Sequence, residues 1–234
     1  MYTSIYLAGG GSKVKSLKLD NTCQEELTDK GDRILYIPIA LKRSDKYERC
    51  DEWFKQIFSP YWYDIDVLRD LADDVVFDEY DLVYIGGGNT YSLIHDLRKH
   101  DLVQPLLEYA GQGGIVYGGS AGAIILGEHI GTAAGDENSV DIDAFDALAL
   151  IHVYDFRPHH TTEHRDAVTE HIEEAGNPVM CCPEPSGVRL KGDEATIIGE
   201  KPVILRHGNR EIRLQPDSTV DLGRLHSSNH LPPE

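Results

Sequence analysis

The sequence predicts an α/β protein: an open, mostly parallel, doubly wound sheet with flanking helices, and antiparallel hairpins at its C-terminal edge. Three observations predict it. Short, continuous apolar runs flanked by glycine or proline recur with room for a helix between them, as buried parallel strands do. The intervening segments carry apolar residues at helical spacing. Beyond residue 178 the runs shorten and only turns separate them.

Taken in order, the strands are Ser4–Ala8, Arg33–Ile39, Asp81–Gly86 and Gly114–Gly118, each continuous in its apolar character rather than alternating. Helices are expected at Lys46–Phe58 and Thr90–Arg98, the latter continuing into a second at Leu102–Ala110, so that the order reads β–α–β–α–β–α–β. Ligands in such sheets sit beyond the carboxyl ends of the strands. A charged, half-exposed helix follows at Thr162–Glu174. Short strands are then expected at Val179–Pro183, Gly187–Gly192, Ala195–Gly199 and Pro202–Arg206, as hairpins closing one edge. No linker, repeat or low-complexity tract interrupts the 234 residues, which predicts one domain over 1–225 and a loose tail over 226–234.

Asp plus Glu number 40 against 22 Lys plus Arg, a formal net charge of −18. That balance repels phosphate backbones and anionic membranes, so neither nucleic acid nor membrane is expected as a partner, and it favours solubility. The N-terminus lacks a basic segment followed by a long apolar core, and no run approaches the ~20 apolar residues of a membrane span. The cysteines Cys23, Cys50, Cys181 and Cys182 form neither a CxxC metal pattern nor a disulfide scaffold. A cytoplasmic location is the expectation.

The most informative segment is Gly118-Gly-Ser-Ala-Gly122, at the junction of an apolar strand and a helix. Gly-x-Ser-x-Gly is the pattern of a nucleophile elbow. Side chains flanking the serine would collide with neighbouring strand and helix, and the turn exposes the Ser120 hydroxyl beside the N–H of Ala121. A serine needs a base, and the base needs an orienting acid. His159, in Phe156-Arg-Pro-His-His160, is the candidate base. The acid stands open at this point. The chain order of an α/β-hydrolase nominates Asp136, Asp143 or Asp155, whereas Glu184, held between prolines just past a strand, follows the histidine. Neither Gly9-Gly-Gly-Ser12 nor Gly86-Gly-Gly88 completes a dinucleotide or P-loop signature.

Gly86-Gly-Gly-Asn-Thr-Tyr-Ser-Leu93, Gly118-Gly-Ser-Ala-Gly-Ala123, Arg157-Pro-His159 and Pro183-Glu184 stand in the order and spacing of the serine peptidase family of aspartyl dipeptidase (peptidase E) and cyanophycinase. The chain resembles that family from its first strand to about Leu222. The resemblance implies a fold akin to class I glutamine amidotransferases, with serine in place of their cysteine. It also implies a Ser120–His159–Glu184 triad, an oxyanion hole from Gly88 and Ala121, and substrate binding by Asn89 and by Arg165, placed like the arginine that takes an aspartate side chain. Asp136 remains the alternative acid. The chain departs from the dipeptidase pattern at Gly118-Gly119, at Arg157-Pro-His-His160 and by an additional residue between elbow and histidine.

The expected activity is therefore a serine-type exopeptidase acting on short peptides through an acyl-enzyme, with a preference for N-terminal aspartate. It calls for no cofactor and no metal, and a homodimer is compatible with it. Three readings compete: a cyanophycinase-like β-aspartyl-arginine hydrolase, a metallohydrolase on His160 and His164, which lacks His-Glu-x-x-His, and a non-catalytic small-ligand binding module.

Overall fold

The computed structural model describes residues 3–10, 14–41, 44–58, 63–71, 75–133, 135–208 and 210–227. The first half alternates strand and helix: β1 (Ser4–Ala8), α1 (Leu17–Thr28), β2 (Arg33–Ile37), α2 (Ser44–Phe58), β3 (Asp64–Val67), β4 (Leu82–Ile85), α3 (Thr90–Lys99), α4 (Val103–Gly111), β5 (Ile115–Gly119) and α5 (Ala121–Ile124). The second half runs β6 (Asp155–Arg157), α6 (Arg165–Ala175), β7 (Val179–Cys181), β8 (Ser186–Lys191), β9 (Glu194–Gly199), β10 (Val203–His207), β11 (Arg210–Leu214), β12 (Thr219–Asp221) and α7 (Leu222–Ser227).

Among the described residues the main sheet has eight strands in the order β12-β9-β8-β1-β5-β4-β2-β3. Its five strands from β1 to β3 are parallel, and β8, β9 and β12 extend the edge in antiparallel fashion. The four expected parallel strands are present, in α/β order. Strand β3 was not expected, because its sequence Asp-Ile-Asp-Val lies at the sheet edge with its aspartates exposed, and an edge strand needs no continuous apolar run. The C-terminal hairpins divide. β8 and β9 close the main sheet as expected, but β7 and β10 join β6 and β11 in a separate four-stranded sheet. Three-residue β6 is too short to leave a periodic signature. The expected helix over Thr162–Glu174 begins as a 3₁₀ turn at Thr162–His164, continues as α6 and stops at Gly176 in the left-handed region, φ +79°. Of the tail expected from residue 226, residues 226 and 227 belong to α7, and the rest lies outside the described residues.

Alternation along each parallel strand sorts the core into two layers. Ile5, Leu7, Leu35, Ile37, Val83, Ile85 and Val116 face α3 and α4. The other face is aromatic: Tyr6, Tyr117, Tyr84 and Tyr36 occupy one register row across β1, β5, β4 and β2. Tyr6 stacks on Tyr117 (centroids 5.9 Å) and Tyr117 on Tyr84 (4.3 Å), while Tyr36 meets Tyr84 edge-on at 5.6 Å. Buried phenols need partners, and Tyr117 donates to Asp20 at 2.7 Å and Tyr6 to Glu26 at 2.7 Å, both on α1. This row ends beneath the carboxyl ends of β4 and β5, where the glycine-rich loops lie. No described helix is long and apolar enough to cross a membrane.

Candidate active site

The elbow follows from the glycines around it. A Cβ on Gly118 would lie 2.7 Å from the Ala123 Cα, and one on Gly122 would lie 2.1 Å from the Ile85 carbonyl oxygen. Only hydrogen fits at either position, so α5 lies close against both β5 and β4 and the chain turns sharply between β5 and α5. Ser120 takes the strain of that turn at φ 52°, ψ −111°. Its carbonyl accepts the first helical bonds, from Ala123 N–H and Ile124 N–H at 2.9 and 3.0 Å.

The candidate base arrives from the smaller sheet. His159 follows β6 and also has a positive φ, 52°, and its N–H donates to the Gly9 carbonyl at 2.6 Å, tying the loop after β6 to the loop after β1. Its Nε2 stands 3.0 Å from Ser120 Oγ and its Nδ1 2.6 Å from Glu184 Oε1. Glu184 sits in the loop joining β7 to β8, the link between the two sheets, and its second oxygen accepts from Lys15 Nζ. Burial pushes the Glu184 carboxyl up, but hydrogen bonds and charge from Lys15 and His159 outweigh it and hold the group below its ordinary value. The relay is thus anchored to an ionised acid.

Gly10, at φ +114°, lies against this pair: a Cβ there would be 2.0 Å from His159 Cε1, 2.2 Å from its Nδ1 and 2.7 Å from Glu184 Oε1. The second glycine loop approaches from the other side. Gly88, φ +150°, cannot carry a Cβ because the Ala40 carbonyl oxygen would be 2.2 Å away. Among the described residues neither its N–H nor that of Ala121 has a hydrogen-bond acceptor, which leaves both donors for a ligand oxygen beside Ser120.

Two cavities flank Ser120, and Gly88, Ser120 and His159 border both. The smaller, about 110 Å³, is charged, with Asp136 and Arg157 in its wall. The larger, about 240 Å³, is walled by Trp53 and Tyr84 over a floor of Gly86, Gly87 and Gly119.

The structure therefore brings together Ser120, His159 and Glu184, with Gly88 and Ala121 beside them. Asp136 is not in hydrogen-bond reach of His159 among the described residues; its Oδ2 accepts the N–H of Thr90 at 2.8 Å. Asn89 lines neither cavity. It is the N-cap of α3, its Oδ1 accepting from Ser92 N–H at 2.9 Å, and its amide donates to the Glu137 carbonyl at 2.8 Å, so its polar atoms are spent on the scaffold. Arg165 is likewise outside both cavities, exposed at the start of α6 and 3.5 Å from Glu211. The arginine bordering the site is Arg157, which is buried and donates to the Thr132 carbonyl at 2.5 Å. Its place in Arg157-Pro-His-His160 was visible as a departure from the dipeptidase pattern. Gly10, Lys15, Trp53 and Tyr84 had no such signal, because each acts through residues distant in sequence.

Among the described residues the His160–His164 pair belongs to no group of three or more ligand atoms that could hold a metal, and His164 Nδ1 accepts the Thr161 N–H at 3.1 Å. Among the described residues, His129, Asp155 and His171 have metal-ligand composition. The Asp155 oxygens there already accept from the His129 N–H and the His171 ring, both at 2.6 Å, and from Asn177 at 3.3 Å, so the group serves as a hydrogen-bonded buttress for β6.

Residues 5–198 match the family model described as peptidase family S51. The chain belongs to peptidase family S51. As the sequence resemblance implied, it is a serine-type peptidase. Among its relatives, the Drosophila melanogaster protein named "Probable alpha-aspartyl dipeptidase" is 29% identical over 180 residues, 72% of this chain and 73% of that one. The peptidase E of Streptomyces coelicolor is 29% identical over 202 residues, 80% and 81% of the two chains. A solved structure of a peptidase from an acI-B1 Actinobacterium superposes with a TM-score of 0.76 at 21% identity, covering 94% of this chain and 97% of that one, which places this S51 chain in the same fold.

Proposed function

We propose that this S51 peptidase is a dipeptidase that forms an acyl-enzyme on Ser120. The hydrogen-bonded relay from Ser120 Oγ through His159 to Glu184 carries the reading. Ser120 Oγ attacks the scissile carbonyl while His159 Nε2 takes its proton, and Glu184, accepting from Nδ1–H, fixes the tautomer and stabilises the imidazolium. The carbonyl oxygen, now an oxyanion, lies between the N–H groups of Gly88 and Ala121; one such donor is typically worth roughly 3–4 kcal/mol of barrier. His159 returns the proton to the leaving amine as the C–N bond breaks. A water then attacks the ester, again through His159, and frees the acid and Ser120.

The substrate's N-terminal residue fits the smaller, charged cavity, with its ammonium toward Asp136. Its side chain is an aspartate's, the carboxylate facing the positive charge of Arg157. This assigns to Arg157 the part that the family resemblance gave to Arg165, and it agrees with the aspartyl specificity in the name of the Drosophila relative. None of the four cysteines forms a disulfide among the described residues, in keeping with a reducing compartment such as the cytoplasm.

The test is hydrolysis of α-Asp-Leu and β-Asp-Arg by wild type and Ser120→Ala, with labelling by a serine-reactive fluorophosphonate. Cleavage of α-Asp-Leu alone, lost with labelling in the variant, is expected. Unchanged cleavage by Ser120→Ala would overturn the nucleophile, and faster cleavage of β-Asp-Arg would favour the cyanophycinase-like reading.

A further inference from the structure

The cavity of about 240 Å³ bordered by Trp53 and Tyr84 opens on the same reacting centre as the charged one. A peptide bond held at Ser120 Oγ divides its substrate between the two. The smaller cavity offers a carboxylate and a guanidinium. Among the described residues the larger is lined by no Asp, Glu, Lys or Arg, so a charged side chain placed there would find none of these to offset its desolvation.

Its construction suits an apolar group. The floor is Gly86, Gly87 and Gly119, which leave open the space that side chains would fill; a Cβ on Gly119 would already stand 3.2 Å from the Tyr84 hydroxyl. The Tyr84 wall is immobile, since its ring is 3% exposed, stacked on Tyr117 at 4.3 Å and flanked edge-on by Phe54 at 4.8 Å. Beside it and in edge contact with it at 6.4 Å, Trp53 projects from α2 only partly buried. A partly buried tryptophan at the mouth of a rigid, glycine-floored slot presents a large apolar surface that a ligand can cover. His159, which must protonate the leaving amine, borders both cavities, so with the charged N-terminal residue in the smaller one the released residue lies on this side.

We infer that this cavity receives the side chain of the residue released on hydrolysis and selects large apolar or aromatic ones, Trp53 being the specificity-determining residue. The inference rests on the dipeptidase reading above. It predicts cleavage of Asp-Phe and Asp-Leu in preference to Asp-Gly, because only a large side chain covers the exposed part of the Trp53 indole.

The experiment compares kcat/KM for Asp-Phe, Asp-Leu, Asp-Gly and aspartate α-methyl ester in wild type, Trp53→Ala, Trp53→Phe and Ser120→Ala. The wild type is expected to favour Asp-Phe over Asp-Gly by at least about tenfold, as differences of one or more methylenes in an apolar pocket do. Trp53→Ala brings that ratio to within about threefold while hydrolysis of the methyl ester, whose methanol reaches neither ring, stays within about twofold; Trp53→Phe retains most of the preference. Equal wild-type rates on Asp-Phe and Asp-Gly overturn the inference, and so does a loss in Trp53→Ala that falls equally on every substrate, ester included. Hydrolysis of no substrate above the Ser120→Ala background overturns the dipeptidase reading itself, and this inference with it.

Discussion

Replacing Gly10 by alanine tests whether the relay works in the geometry described. The new methyl carbon would stand 2.0 Å from His159 Cε1, 2.2 Å from Nδ1 and 2.7 Å from Glu184 Oε1, where unstrained carbon contacts need about 3.5 Å or more. The imidazole must retreat by roughly 1.5 Å to relieve that overlap. The Ser120–His159 hydrogen bond, 3.0 Å in the intact site, then exceeds hydrogen-bond range, and the 2.6 Å bond to Glu184 is displaced with it. A misplacement of about 1 Å can cost 10²-fold in rate, so Gly10→Ala is expected to lower kcat/KM on α-Asp-Leu by about 10²–10³-fold, or roughly 3–4 kcal/mol of barrier. The backbone adds its own cost, because φ +114° is a conformation for glycine, and stability should fall by about 1–3 kcal/mol. The assay is steady-state hydrolysis of α-Asp-Leu together with circular dichroism and a urea melt, with Gly111→Ala as control, since a Cβ at Gly111 meets nothing within 4 Å. A folded Gly10→Ala protein that hydrolyses the dipeptide at the wild-type rate would refute the reasoning, for the base could not then occupy the position described here.

Lys15→Met removes from Glu184 one of the two groups that lower its carboxyl pKa, so that pKa rises and the acid limb of the kcat/KM profile moves to higher pH; the pair is half-exposed, and at pH 8 the rate should stay within about threefold of wild type. An unmoved acid limb would show that Lys15 does not act on the acid. His160 is held down to about 4, first by burial and then by His164, Arg157 and Arg206, whereas an unfolded histidine titrates at its ordinary value, 6.5. The unfolded chain therefore binds the proton more readily. The stability this histidine contributes is present above pH 6.5 and is lost as pH falls toward 4, by at most about 3 kcal/mol. His160→Gln should flatten that part of the urea-midpoint profile. Asp20, raised to about 6 by burial, acts with the opposite sign but equally in both proteins, and parallel profiles would refute the assignment.

What was legible in the sequence follows from how local each feature is. The parallel strands announced themselves because burial on both faces leaves no polar position, and the elbow because close packing of α5 on β5 and β4 admits only glycine at 118 and 122. The edge strand β3 and three-residue β6 escaped, one for its exposed aspartates and the other for its length. Glu184 and Asp136 could not be ranked as partners of His159 from composition, since both are acids in loops near strand ends. They differ only in what the fold sets beside them: His159 Nδ1 for one and the Thr90 N–H for the other.

By itself the sequence determined the α/β order, the strained serine and, by resemblance to a peptidase family, the triad expected around it. These depend on backbone sterics and on motifs a few residues long, which a linear pattern can carry. Tertiary structure alone decided that Arg157 and not Arg165 borders the serine, that Asn89 is spent as a helix cap, that Gly10 makes room for the base, and that Trp53 and Tyr84 wall a second cavity. Each of these depends on where separate segments of the chain meet, and that is set by the packing of two sheets and their helices, not by the spacing of residues along any one of them.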